Sequence, residues 1–177
     1  MSAGNFSACW AVTRGFEGGF TKNPEDPGNW TGGAVGIGML EGTNMGISAA
    51  AYPDLNIAML TPFVAGAIYQ RDYWNRVAGD ALPAGVDMMV FDAAVNMGVW
   101  RSAELLQTAV GVTADGIIKT ATLAAVKAMD AARLIDALAE AREAYYERLG
   151  TFQTFGDGWT ARVTACRQAA LAMAGAA

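Results

Sequence analysis

The stretch Thr13-Arg14-Gly15-Phe16-Glu17-Gly18-Gly19-Phe20 decides how the chain is read. Upstream of it, Phe6, Cys9, Trp10 and Thr13 recur at spacings of three and four, the period of an amphipathic helix, and Phe16 or Glu17 continues the series. Asn5 is placed to cap the start. The pattern predicts a first helix over residues 5–17, stopped by the glycine pair that follows. Glu17 then stands beside the apolar stripe, at the edge of a core. A carboxylate at a helix C-terminus opposes the helix dipole, so its position there calls for a reason other than helix stability.

Downstream, residues 20–47 are glycine-rich and contain Pro24 and Pro27, which excludes a helix. Asn23-Pro24-Glu25-Asp26-Pro27-Gly28 reads as a tight double turn. Val35, Ile37, Met39 and Leu40, separated by glycines, predict a short irregular β-hairpin. A non-helical stretch of this length inside a helical chain is usually functional.

The remainder reads as helix. Ser48 to Tyr52 makes about one turn before Pro53, and Thr61-Pro62 opens a helix that runs to about Val77. Residues 84–97 are apolar on nearly every side and predict a central buried helix. Helices over Trp100–Val110, Thr120–Met129 and Asp130 to about Phe152 follow, with a turn at Asp115-Gly116. Gly156-Asp157-Gly158 is expected to break the chain before a last helix carrying Trp159, Val163, Cys166, Ala170 and Met173. The fold class is thus mostly α, with a small irregular β-hairpin after the first helix. A boundary is expected near Gly98, between a lobe of residues 1–97 and a helical C-terminal lobe of residues 98–177, packed as one compact unit.

Composition narrows the function. A 177-residue chain that is 53% apolar can bury a core. A net charge of -5 argues against nucleic acid as a partner. The absence of histidine removes Ser-His-Asp and Cys-His sites and the commonest metal ligand. Cys9 and Cys166 fall on apolar helix faces and are expected to be buried free thiols. The first five residues carry no basic or apolar leader, and no window holds a run of about 20 apolar residues. The expectation is a monomer with no membrane insertion, made in the cytoplasm and acting elsewhere only when another factor exports or releases it.

Acid-assisted hydrolysis, as of a glycosidic bond, needs a carboxylic acid that delivers a proton and a second polar group that holds water. Glu17 suits the first role. Asp26, nine residues on in a rigid turn, suits the second, although an Asp before a proline is also an ordinary turn residue. Thr43 and Asn44 add a hydroxyl and an amide on a glycine-flanked segment, and Glu25 or Glu41 could replace Asp26. Trp30, in the loop, is suited to stack on a sugar ring, whereas Tyr69, Tyr73 and Trp74 at helical spacing read as core. Asp92 and Asn96 share one face of the buried helix, where they either link helix ends or contact sugar.

Phe16-Glu17-Gly18-Gly19-Phe20, then Asn23-Pro24-Glu25-Asp26-Pro27-Gly28, then Gly42-Thr43-Asn44-Met45-Gly46-Ile47-Ser48 resembles the signature of the glycoside hydrolase 108 muramidases. These are phage endolysins and secretion-associated bacterial relatives. Phe91 to Gly98, Leu105-Leu106-Gln107, Gly111 to Ile118 and Gly156 to Trp159 resemble the family's C-terminal peptidoglycan-binding region. The resemblance runs from about residue 8 to 172. It implies a lysozyme-like fold and cleavage of the β-1,4 bond between N-acetylmuramic acid and N-acetylglucosamine. It also implies Glu17 as the catalytic acid of the Glu-Gly-Gly motif, peptidoglycan glycan strands as partner, and no metal or organic cofactor. Beside it, the reading of the residues expects Trp30, Asn44 and Asn96 as glycan contacts. One departure is Lys119-Thr120-Ala121, where the family often has Gly-Pro before a Thr-Leu pair. A looser likeness to small phage lysozymes, which carry a Glu, an Asp nine residues later and a Thr before Gly-Ile, implies that Asp26 and Thr43 orient the water and that the anomer is inverted. Thr31 fits that spacing better but lacks the Gly-Ile context. The rival expectations are a lytic transglycosylase and a peptidoglycan-binding protein without turnover.

Overall fold

The computed structural model describes residues 4–175, which form a mostly helical protein with one small two-stranded sheet. Contacts divide it into two units, Arg14–Ile68 and the residues on either side, up to Thr13 and from Tyr69 onward. Among the described residues no helix is long and apolar enough to cross a membrane.

The flanking unit is helical. It contains α1 (Phe6–Thr13), α3 (Val86–Met97), α4 (Val99–Ala109), α5 (Thr120–Ala128), α6 (Ala131–Glu147) and α7 (Phe152–Gly175). Helix α3 is buried from Val86 through Ala94, as its all-round apolar sequence predicts. Phe6, Trp74 and Phe91 meet edge to face with ring centroids 5.5–5.7 Å apart, an arrangement that aromatic quadrupoles favour. Trp10 packs on Tyr69, which stacks on Tyr73, so these aromatics serve the core. Cys9 and Cys166 are free and buried. Burial, reinforced by the carboxylates of Asp87 and Asp92 respectively, pushes both thiols well above their ordinary range.

Asp92 is fully buried at the centre of this unit. It accepts from Arg162 Nη2 at 2.8 Å and from the Thr13 hydroxyl at 3.2 Å, and it pairs with Arg142 Nη1 at 2.7 Å. Burial alone would raise its pKa. The charge of Arg142 and the hydrogen bonds and charge of Arg162 outweigh that and hold it below the usual carboxylate range.

Three boundaries differ from the sequence expectation. The first helix ends at Thr13, and Arg14–Phe16 tighten into a 3-10 turn, a common way for a helix to finish. Glu17 follows that turn, its N–H donating to Arg14 O at 3.2 Å. Gly18 and Gly19 have no positive φ and do not cap the helix. The expected break at Gly156-Asp157-Gly158 is absent, since α7 runs through it and the chain turns instead at residues 148–151. Gly156 is buried, and a Cβ there would lie 2.8 Å from the Phe152 ring, so packing rather than helix termination accounts for this glycine. The helix opened by Pro62 does reach Val77, but α2 proper is Pro62–Tyr69. A π turn, Gln70–Trp74, and a 3-10 turn, Asn75–Val77, complete it.

The unit Arg14–Ile68 is largely loop. Strands β1 (Thr43–Asn44) and β2 (Ile47–Ser48) pair antiparallel, Thr43 opposite Ser48 and Asn44 opposite Ile47. The connecting residues Met45 and Gly46 have φ of 48° and 74°, the positive values that a two-residue hairpin turn requires. The expected hairpin at Val35–Leu40 is an irregular loop closed by a bridge between Trp30 and Leu40.

Candidate active site

Glu17 is half-buried. The segment after it is clamped to the hairpin. Gly18 O accepts the N–H of Met45 at 3.0 Å, and Thr21 and Thr43 exchange two backbone hydrogen bonds at 2.8 and 2.9 Å. Gly42 makes that clamp possible. Its φ is +91°, and a Cβ would stand 2.4 Å from Thr21 O and 2.9 Å from the Phe20 ring. Gly42→Ala is therefore expected to cost about 1–3 kcal/mol from overpacking and strain and to lower any activity that depends on Glu17. Thermal unfolding and a cleavage assay on the same preparation check both.

Asp26 sits in the double turn. Its Oδ1 accepts the N–H of Gly28 at 2.8 Å and caps the 3-10 turn Pro27–Asn29. Asn29, which the sequence reading passed over, is fully buried. Its Oδ1 accepts the Thr43 hydroxyl at 2.7 Å and its Nδ2 donates to Asn23 O at 3.0 Å. Its N–H donates to Asp26 O at 3.1 Å, and its carbonyl accepts Glu41 N–H at 2.9 Å and Gly42 N–H at 3.0 Å. An asparagine after Pro-Gly reads as a turn residue, and only its burial marks it out.

Glu17, Asp26, Thr43, Trp30 and Asn44 therefore lie in one unit, and hydrogen bonds link the backbone next to Glu17 through β1 and Asn29 to Asp26. The Trp30 indole donates to Pro24 O at 2.9 Å, and Asn44 Nδ2 donates to Ile57 O at 3.2 Å. Thr31 Oγ1 accepts Met39 N–H at 2.9 Å within its loop. Glu25 is exposed and Glu41 half-buried. Asn96 belongs to the flanking unit, where it accepts the Tyr146 hydroxyl, and Arg142 Nε donates to that hydroxyl at 2.8 Å.

Residues 10–98 match the family model described as Glycosyl hydrolase 108, and residues 101–164 match one described as Predicted Peptidoglycan domain. A solved structure titled "Structure of Brucella abortus SagA" matches with a TM-score of 0.80 at 42% identity, covering 97% of this chain and 96% of that one. No curated protein matches the chain. A family match over residues 10–98, which includes Glu17, Asp26 and Thr43, and 42% identity to a solved structure over 97% of the chain make this protein a member of the glycosyl hydrolase 108 family, a glycoside hydrolase with a C-terminal peptidoglycan domain.

Proposed function

We propose that the protein is an N-acetylmuramidase of the endolysin type, hydrolysing the β-1,4 bond between N-acetylmuramic acid and N-acetylglucosamine in peptidoglycan. The observation that carries this reading is the frame itself. The segment holding Glu17 is bonded to the strand holding Thr43, and Thr43 is bonded through Asn29 to the turn holding Asp26. Glu17 gives its proton to the leaving oxygen as the glycosidic C–O bond breaks. A water held by the Asp26 carboxylate and the Thr43 hydroxyl attacks the anomeric carbon from the opposite face and passes its proton to Asp26. One displacement inverts the anomer, and exchange with solvent restores both carboxyl groups. Apart from the adjoining residues of the chain, no described heavy atom lies within 4 Å of where a Cβ on Gly18 or Gly19 would stand, which leaves room for a sugar ring against the backbone beside Glu17.

Glycan strands are the partner, with Trp30, Asn44 and Asn96 as contacts and the peptidoglycan domain holding the wall. The protein works as a monomer at the cell wall, reached after release by another factor. Digestion of purified peptidoglycan, with mass spectrometry of the fragments, tests the reaction. Reducing muramic ends are expected. Anhydro ends would select a lytic transglycosylase, and intact glycan on walls the protein demonstrably binds would leave a binding protein without turnover.

A further inference from the structure

We infer that Asn29 is a positioning residue for this reaction, fixing the Thr43 hydroxyl as a hydrogen-bond acceptor for the attacking water. The inference rests on the roles proposed above for Glu17 and Thr43. The amide of Asn29 has only one workable orientation. Its NH₂ faces the carbonyl of Asn23, which can only accept, so its oxygen faces Thr43. That oxygen can only accept, so the Thr43 hydroxyl must donate to it, at 2.7 Å. A hydroxyl has a single proton. With that proton committed, Oγ1 of Thr43 offers only lone pairs.

A water beside it must then donate to Thr43. Its second proton goes to the Asp26 carboxylate, and the oxygen lone pair is left facing the anomeric carbon. A freely rotating hydroxyl would spend part of its time donating to the water and tying up the attacking lone pair. Burial makes the constraint firm, because Asn29 is fully buried and a broken bond would leave its oxygen unsatisfied. The backbone of Asn29 adds rigidity, since its N–H holds Asp26 O and its carbonyl holds the start of β1 through Glu41 and Gly42. A side-chain substitution spares those backbone bonds, so the effect of the amide can be measured separately.

The test compares Thr43→Val, Thr43→Ser, Asn29→Ala, the Asn29→Ala/Thr43→Val double variant and Glu17→Gln, using soluble peptidoglycan glycan fragments and reading kcat, KM and the melting temperature. Thr43→Val and Asn29→Ala are each expected to lower kcat by about 10- to 100-fold through misplacement of the water, with KM nearly unchanged. The double variant should be no slower than the slower single one. Thr43→Ser, which keeps the hydroxyl, should retain most of kcat. A merely structural Asn29 would slow the Thr43→Val enzyme further, and that result overturns the inference. So does an unchanged kcat in Thr43→Val, including the case in which Asn29→Ala fails to fold and Asn29→Ser replaces it. If Glu17→Gln is inactive and Thr43→Val slow while Asn29→Ala, or Asn29→Ser in its place, is unaffected, only this inference fails; if Thr43→Val is unaffected as well, the role proposed for Thr43 fails with it. If Glu17→Gln retains full activity, the underlying assignment of the acid fails.

Discussion

Replacing Glu17 by glutamine is expected to slow peptidoglycan cleavage by about 10²- to 10⁴-fold, the usual contribution of a general acid. Glutamine keeps the size and polarity of the side chain but has no acidic proton for the leaving oxygen. The variant should fold, because the main-chain bonds around this position, from Glu17 N–H to Arg14 O and from Met45 N–H to Gly18 O, do not depend on the carboxyl group. It should also still bind the wall. Initial rates on purified peptidoglycan, beside a sedimentation assay for binding, separate lost chemistry from lost affinity.

The second large effect concerns stability. Asp92→Asn leaves Arg142 and Arg162 buried without their counter-charge. Breaking a buried ionic group in this way costs about 3–5 kcal/mol, a fall in melting temperature on the order of 10 °C for a chain of this size. The same group gives a pH dependence. Arg142 and Arg162 hold the folded-state pKa of Asp92 below its ordinary value. Its contribution is therefore full above the unfolded value of about 3.9 and is lost as the pH falls from there through the folded value. Wild-type stability should decline below about pH 4, and Asp92→Asn should lack that component. Chemical denaturation across a pH series measures both.

The elements most legible in the sequence were those set by apolar period. The helix expected over residues 84–97 is α3, Val86–Met97, and Trp100 and Asp130 fall within a residue of the starts of α4 and α6. Glycines misled where they serve packing. Gly156 sits inside α7 against Phe152, and Gly18-Gly19 follow a helix that has already tightened at Arg14. The positions of Glu17, Asp26 and Thr43 within one unit followed from the motif order. The bond that ties Thr43 to Asn29 did not, because a residue fourteen positions upstream in a loop has no periodic relation to a strand, and burial of a polar side chain becomes visible only in three dimensions. Asp92 and Asn96 were left open between structure and sugar. Asp92 proves to be the anchor of a buried ion cluster, and Asn96 is bonded to Tyr146 beside it.

At the centre of this account is a single displacement by a water held opposite the departing sugar. Proton NMR of the newly formed reducing ends, recorded in the first minutes of cleavage before the anomers equilibrate, tests it most directly. The α-anomer, released from a β-linked strand, should appear first. A β-anomer appearing first, or an anhydro end with no reducing signal, would contradict it.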